Sequence, residues 1–150
     1  MSSVSLLRQR MASRNMSSSP SATRAVGGGT FVPDDVLASL GSMDQQQADA
    51  LDFGVMQLSD SGHIHLYNRY QGEIGNLTPS QAEGKHFFTE IAPCTNNNIF
   101  HGQFRKGVAA DNLNVMLSYT FNYRLAPIGV NVHMYRDPST RTNWIFVQRA

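Results

Sequence analysis

The apolar positions along this chain follow two periodicities, and the places where one gives way to the other mark out its elements. Val55-Met56-Gln57-Leu58-Ser59 and His63-Ile64-His65-Leu66-Tyr67 read as strands around the turn Asp60-Ser61-Gly62, which predicts a hairpin. Between Asn68 and Phe88 the breakers Gly72, Gly75, Pro79 and Gly84 exclude one long helix and predict several short helical turns. Phe100, Phe104 and Val108 then recur at i, i+4 and i+8, the stripe of a longer helix capped by Asn97 or Asn98 and ending near Asp111-Asn112. After it, Leu113, Val115, Leu117, Tyr119, Phe121 and Tyr123 alternate with Asn114, Met116, Ser118, Thr120 and Asn122, the period of a half-buried strand. Ile128, Val130, Val132 and Met134 repeat that alternation, and Asp137-Pro138-Ser139-Thr140 turns the chain into a last strand from Asn143 to Val147.

Upstream of the hairpin the pattern is weaker. Pro33-Asp34-Asp35 opens a short helical stretch through Leu37 and Leu40, with acidic residues at its positive end and Gly41 expected to stop it. Asp44 is a good N-cap for a second short helix reaching about Leu51. Neither is long enough to be stable alone in water, so both must dock on something larger or remain weakly held. The first 28 residues carry Arg8, Arg10, Arg14 and Arg24 among many serines and contain no acidic residue. They are expected to be a disordered extension, or to precede a true start at Met11 or Met16, with Gly27-Gly28-Gly29 as a flexible joint. Residues 29–150 are then one domain, of which 29–53 form an N-terminal cap. The fold class is α+β: a five-stranded antiparallel sheet with flanking helices and short N-terminal helices, as in a PAS domain.

Composition narrows the function. A chain of 150 residues with 41% hydrophobic content can bury one core. Twelve basic and eleven acidic side chains leave no basic stripe for nucleic acid, and no apolar run is long enough to span a membrane. A single cysteine forms no internal disulfide, so a soluble, cytoplasmic monomer is expected.

That cysteine, Cys94, lies in Ile91-Ala92-Pro93-Cys94-Thr95-Asn96-Asn97-Asn98. A lone thiol is either a small core hydrophobe or a reactive group, and composition does not choose. His63 and His65 would share a strand face, but no further ligand completes a metal site. Cys94 with His86 or His101 has no orienting third group at a recognisable spacing for thiol catalysis, so no enzymatic activity is expected.

Phe87-Phe88-Thr89-Glu90-Ile91-Ala92-Pro93-Cys94-Thr95 followed by Phe100-His101-Gly102-Gln103-Phe104-Arg105-Lys106-Gly107-Val108-Ala109 closely resembles the chromophore loop and following helix of the photoactive yellow protein family. Phe53-Gly54, Tyr67-Asn68, Gly84-Lys85, Asn112-Leu113-Asn114, Tyr119-Thr120-Phe121, Val132-His133-Met134 and Trp144-Ile145-Phe146-Val147 extend the resemblance from about Gly29 to Ala150. It implies a blue-light photoreceptor with 4-hydroxycinnamic (p-coumaric) acid thioester-linked to Cys94, whose trans–cis isomerisation signals to an unknown downstream protein. A phenol has a pKa near ~10, so buried donors must favour its phenolate. Tyr67 matches the residue that donates one such hydrogen bond, and Phe87, Pro93, Thr95 and Phe121 match residues of the pocket and its loop.

This chain also departs from the family at several positions. Gln71 stands where most members have a glutamic acid; its amide donates more weakly than a carboxylic acid and has no proton to surrender. Gly75 replaces a threonine that binds the tyrosine, Leu77 replaces an arginine over the phenolate, and Leu125 occupies a position often held by methionine. Arg124 could replace the missing cation, although an exposed loop arginine is the ordinary placement. The competing reading is a PAS module that binds an unlinked ligand or a protein, with Cys94 structural.

Overall fold

The computed structural model describes residues 30–122 and 127–150, and Val32–Ala150 forms one compact unit. The expected extension over residues 1–28, and Tyr123, Arg124 and Leu125, lie outside the described residues.

Five strands, β1 (Gly54–Leu58), β2 (Ile64–Tyr67), β3 (Asn114–Asn122), β4 (Pro127–Asp137) and β5 (Thr142–Arg149), make one antiparallel sheet in the order β2-β1-β5-β4-β3. The C-terminal strand β5 lies at its centre, and Asn143 through Val147 are buried without interruption. A strand covered on both faces cannot show a polar side, which is why Trp144-Ile145-Phe146-Val147 reads as a continuous apolar run. β3, at one edge, keeps the plain alternation: Val115, Leu117 and Tyr119 are half-buried, Phe121 is buried, and the residues between them are exposed.

One face of the sheet carries Met56, Leu58, Val130, Val132, Met134, Ile145 and Val147 into a single apolar cluster with Phe87, Phe88, Phe100 and Phe104. Those aromatics come from the segment joining β2 to β3. It winds through α3 (Arg69–Gly75), α4 (Pro79–Ala82), a π-turn (Phe87–Ile91), a 3-10 turn (Pro93–Thr95) and α5 (His101–Ala109). Several short elements therefore stand where the breakers predicted them. α3 ends because Asn76 adopts a left-handed conformation (φ 56°) and the Leu77 N–H returns to the Gly72 carbonyl at 3.0 Å. A Cβ at Gly72 would collide with the Leu77 carbonyl, so this close turn requires glycine. α5 stops in the same way, with Asp111 at φ 54° and the Asn112 N–H on the Gly107 carbonyl at 2.9 Å. Asn97 does act as a cap, but for the turn leading into α5: its Oδ1 accepts from the Phe100 N–H at 2.9 Å.

The opposite face presents Val55, His133, Trp144 and Phe146, all buried. The N-terminal segment, with α1 (Asp34–Ala38) and α2 (Gln45–Asp49), contributes buried Val36, Leu40 and Ala48. Asp44 caps α2 through a reciprocal pair of bonds with Gln47. Gly41 does not stop the first helical stretch as expected. The chain tightens there into a 3-10 turn over Leu40–Ser42, supported by the Ser42 N–H and hydroxyl on the Ser39 carbonyl.

The cap is tied to the sheet at the end of β2. Asn68, fully buried, donates through Nδ2 to the carbonyls of Ala48 (2.8 Å) and Phe53 (3.0 Å), and its Oδ1 accepts from the N–H groups of Val55 (2.9 Å) and Gln71 (3.1 Å). Gln45 adds a bond from Nε2 to the Tyr67 carbonyl at 3.0 Å, and the Asp49 carboxylate accepts from the Arg69 N–H at 2.7 Å. One side chain thus joins the cap, β1 and the first turn of α3.

Candidate functional site

Tyr67 ends β2 and Gln71 lies in the first turn of α3, which Asn68 caps, so one short strand-to-helix junction fixes both. Tyr67 is fully buried, and its hydroxyl donates to the Gln71 carbonyl at 3.3 Å. Burial pushes its phenol above the ordinary value, so Tyr67 stays protonated and acts as a donor.

Gln71 has no exposed surface, and neither Nε2 nor Oε1 of its amide has a hydrogen-bond partner. Buried polar groups are almost always paired, so two orphaned atoms on one side chain mark a place built for something else. A Cβ at Gly54 would collide with the amide oxygen, so the start of β1 leaves room for it only as glycine.

The cysteine loop packs against the apolar cluster of the sheet. Tyr67, Phe87 and Phe121 belong to that cluster, and Cys94 and Leu77 pack against it. Cys94 is a free, half-buried thiol. Pro93 is exposed and opens the 3-10 turn with its fixed φ; Thr95 is buried and closes it, donating from Oγ1 to the Ala92 carbonyl at 2.6 Å. The Cys94 carbonyl accepts from the Tyr119 hydroxyl at 2.5 Å and from Asn97 Nδ2 at 3.2 Å, and Asn97 Nδ2 lies 2.7 Å from the same hydroxyl. Tyr119, read from the sequence as a core aromatic, thus pins the loop to β3. Gly75 is half-buried at the end of α3. Leu125 and Arg124 are outside the described residues.

Among the described residues no three histidine, cysteine or carboxylate groups converge to hold a metal. Asp137 is the buried carboxylate among them, and it belongs to the β4–β5 turn, where Thr140 donates to it at 2.7 Å.

Tyr67 is fully buried in the aromatic cluster, the Gln71 amide is buried without a partner, and the half-buried Cys94 packs against the same cluster. Comparison with known proteins decides the family. The PAS fold family matches residues 42–150. The photoactive yellow protein of Rhodothalassium salexigens is 43% identical over 120 residues, 80% of this chain and 96% of that protein. That of Halochromatium salexigens is 40% identical over 119 residues, 79% of this chain and 95% of that protein. The chain belongs to the photoactive yellow protein family. A solved structure, the photoactive yellow protein domain from the sensor histidine kinase Ppr of Rhodospirillum centenum, superposes with a TM-score of 0.72 at 34% identity, covering 75% of this chain and 99% of that one. Both the five-stranded PAS architecture expected from the residue pattern and the role of blue-light photoreceptor implied by the resemblance follow from this membership. Among the described residues no helix is long and apolar enough to cross a membrane.

The orphaned amide leads to a stability prediction. Replacing Gln71 by Leu removes two unpaired buried polar atoms at similar volume and should stabilise the pigment-free protein by about 1–2 kcal/mol. Denaturant titration checks this: a destabilised Gln71→Leu protein would mean that the amide has a partner within the apoprotein.

Proposed function

We propose that this photoreceptor carries p-coumaric acid as a thioester on Cys94, with Tyr67 and Gln71 as donors to the phenolate oxygen. The observation that carries the reading is the buried, unpartnered Gln71 amide next to Tyr67, together with a free thiol that packs half-buried against the cluster holding Tyr67. When bound, such a group supplies blue-light absorption as a phenolate and a double bond that isomerises.

The protein's own residues do the rest. Tyr67 and Gln71 offset the cost of holding a negative charge away from water. Phe87, Phe121 and Leu77 exclude solvent from the bound group. Pro93, Thr95, Asn97 and Tyr119 hold the loop rigid, so that a change of shape at Cys94 is delivered to the Tyr67–Gln71 end. Gln71 can donate a hydrogen bond but cannot yield a proton, so protonation after isomerisation must draw on water or a more distant group. Gly75 and Leu77 carry no polar side chain to strengthen the dark-state network, and Leu125 offers no methionine sulfur for the return to trans.

The output follows from Asn68. Any shift of Gln71 bears on the Asn68 carboxamide, which also holds the Ala48 and Phe53 carbonyls of the cap. The cap has two five-residue helices, the low-stability material from which a light-released surface for a downstream signalling protein would be made.

Reconstitution with activated p-coumarate followed by intact mass measurement should give one adduct per chain, absent in Cys94→Ala. A protein that takes up no adduct, or a Cys94→Ala protein that does, would refute the assignment. Gln71→Glu should move the dark absorption band to the blue and lower the pKa of the bound chromophore, because a carboxylic acid is the stronger donor. An unchanged spectrum would place Gln71 away from the phenolate.

A further inference from the structure

Three histidines distant in sequence meet at the back of the cysteine loop. His63, at the end of the β1–β2 turn, pairs by an isolated antiparallel bridge with His86, and their rings stand edge to face with centroids 5.1 Å apart. His86 lies 6.0 Å from the ring of His101, the first residue of α5. His101 stacks flat on Phe88, with centroids at 4.0 Å and planes 7° apart, and its Nδ1 is 2.9 Å from Asn96 Oδ1 in the cysteine loop. Phe88 in turn packs on Phe87, Phe100 and Phe104. The row of rings therefore joins three elements: the hairpin, the segment entering the loop and the helix leaving it.

The surroundings of the row offer a cation little support. His86 Nδ1 is buried and has no partner, so a proton placed there would find no acceptor. Its other ring nitrogen faces Gly62, where a Cβ would come within 2.9 Å. His101 occupies the positive end of α5, which disfavours a cation. The charged neighbours do little to reverse this. Glu90 is exposed, and its carboxylate is taken by the His86 backbone N–H at 2.7 Å; Asp60 of the hairpin turn is engaged by Arg136. Arg105 on α5 adds positive charge, as does Lys85 next to His86 in the chain, and Ser61 meets His63 Nδ1 at 3.0 Å without charge. His101 is accordingly held below the usual histidine range, by burial first and then by Arg105 and His86. Among the described residues no three histidine, cysteine or carboxylate groups converge to hold a metal.

We propose that His63, His86 and His101 form a proton-responsive clamp on the cysteine loop, closed while the rings are neutral and loosened when they are protonated. The sign follows from linkage. His101, held below the usual histidine range while its stack is closed, binds more protons when that stack opens, so closure weakens as pH falls through and below the ordinary histidine range. That the clamped loop bears a pigment rests on the reading above; the clamp itself does not, and it can be tested on the pigment-free protein.

Two measurements test it on the full chain. In a histidine NMR titration, His86→Asn should raise the apparent pKa of His101, since a neighbouring charge and part of the burial are removed. Hydrogen exchange over residues 94–104, corrected for its intrinsic pH dependence, should be faster at about pH 5 than at about pH 8. The contrast should disappear in the triple variant His63→Asn, His86→Asn, His101→Phe, whose phenylalanine keeps the stack on Phe88 without titrating. A His101 titration unmoved by His86→Asn, or a pH contrast that persists in the triple variant, would overturn the clamp. Failure of Cys94 to take up a chromophore would leave both readouts as they stand.

Discussion

The carboxamide of Asn68 is the constraint on which the rest of the structure depends. It is buried and makes four hydrogen bonds, two as donor and two as acceptor, to backbone groups of three separate segments. By capping α3 it sets the position of Gln71; by following Tyr67 it fixes where β2 ends; by binding the Ala48 and Phe53 carbonyls it holds the cap against the sheet. Such a network is strong while every member is satisfied and costly when one is displaced. The pocket wall and the cap are therefore not independent. A rearrangement at Gln71 is felt by the side chain that anchors the cap.

The site itself combines two opposite kinds of design. The cysteine loop is over-determined: Pro93 sets its entry, Thr95 closes its turn, and Tyr119 and Asn97 converge on the Cys94 carbonyl. Gln71 is under-satisfied, since its amide is left without partners although it is fully buried. On the proposed reading these are two halves of one device, a fixed anchor and a wall whose bonding is completed only by the group between them. The glutamine makes the wall a weaker donor than a carboxylic acid and denies it a transferable proton. The protein then depends on altered hydrogen bonding at Gln71, rather than on a newly buried carboxylate, to disturb Asn68.

The sheet was legible in the sequence because its strands bury one face or two, and a period of two or a continuous apolar run records that directly. Cys94 stood out as the single thiol of the chain, whereas Tyr67 and Gln71 were marked only through the family resemblance. Asn68 could be matched as a residue but not understood, because its partners at Ala48 and Phe53 are tertiary. Tyr119 showed only its apolar ring in the alternation of β3, while its hydroxyl does the work at Cys94. The row of His63, His86 and His101 has no sequence signature at all, since three turns of the chain bring it together. Gly41 was misread because a glycine that could end a helix can equally be carried within a 3-10 turn. In each case the missing information was which segments meet, and local pattern does not contain it.

The central claim, that a change at the pocket reaches the cap through Asn68, is tested most directly by hydrogen exchange of the pigment-loaded protein in darkness and under continuous blue light. The account predicts faster exchange across residues 32–51 in the light, with the centre of β5 unchanged. Equal protection of residues 32–51 in light and dark would contradict it.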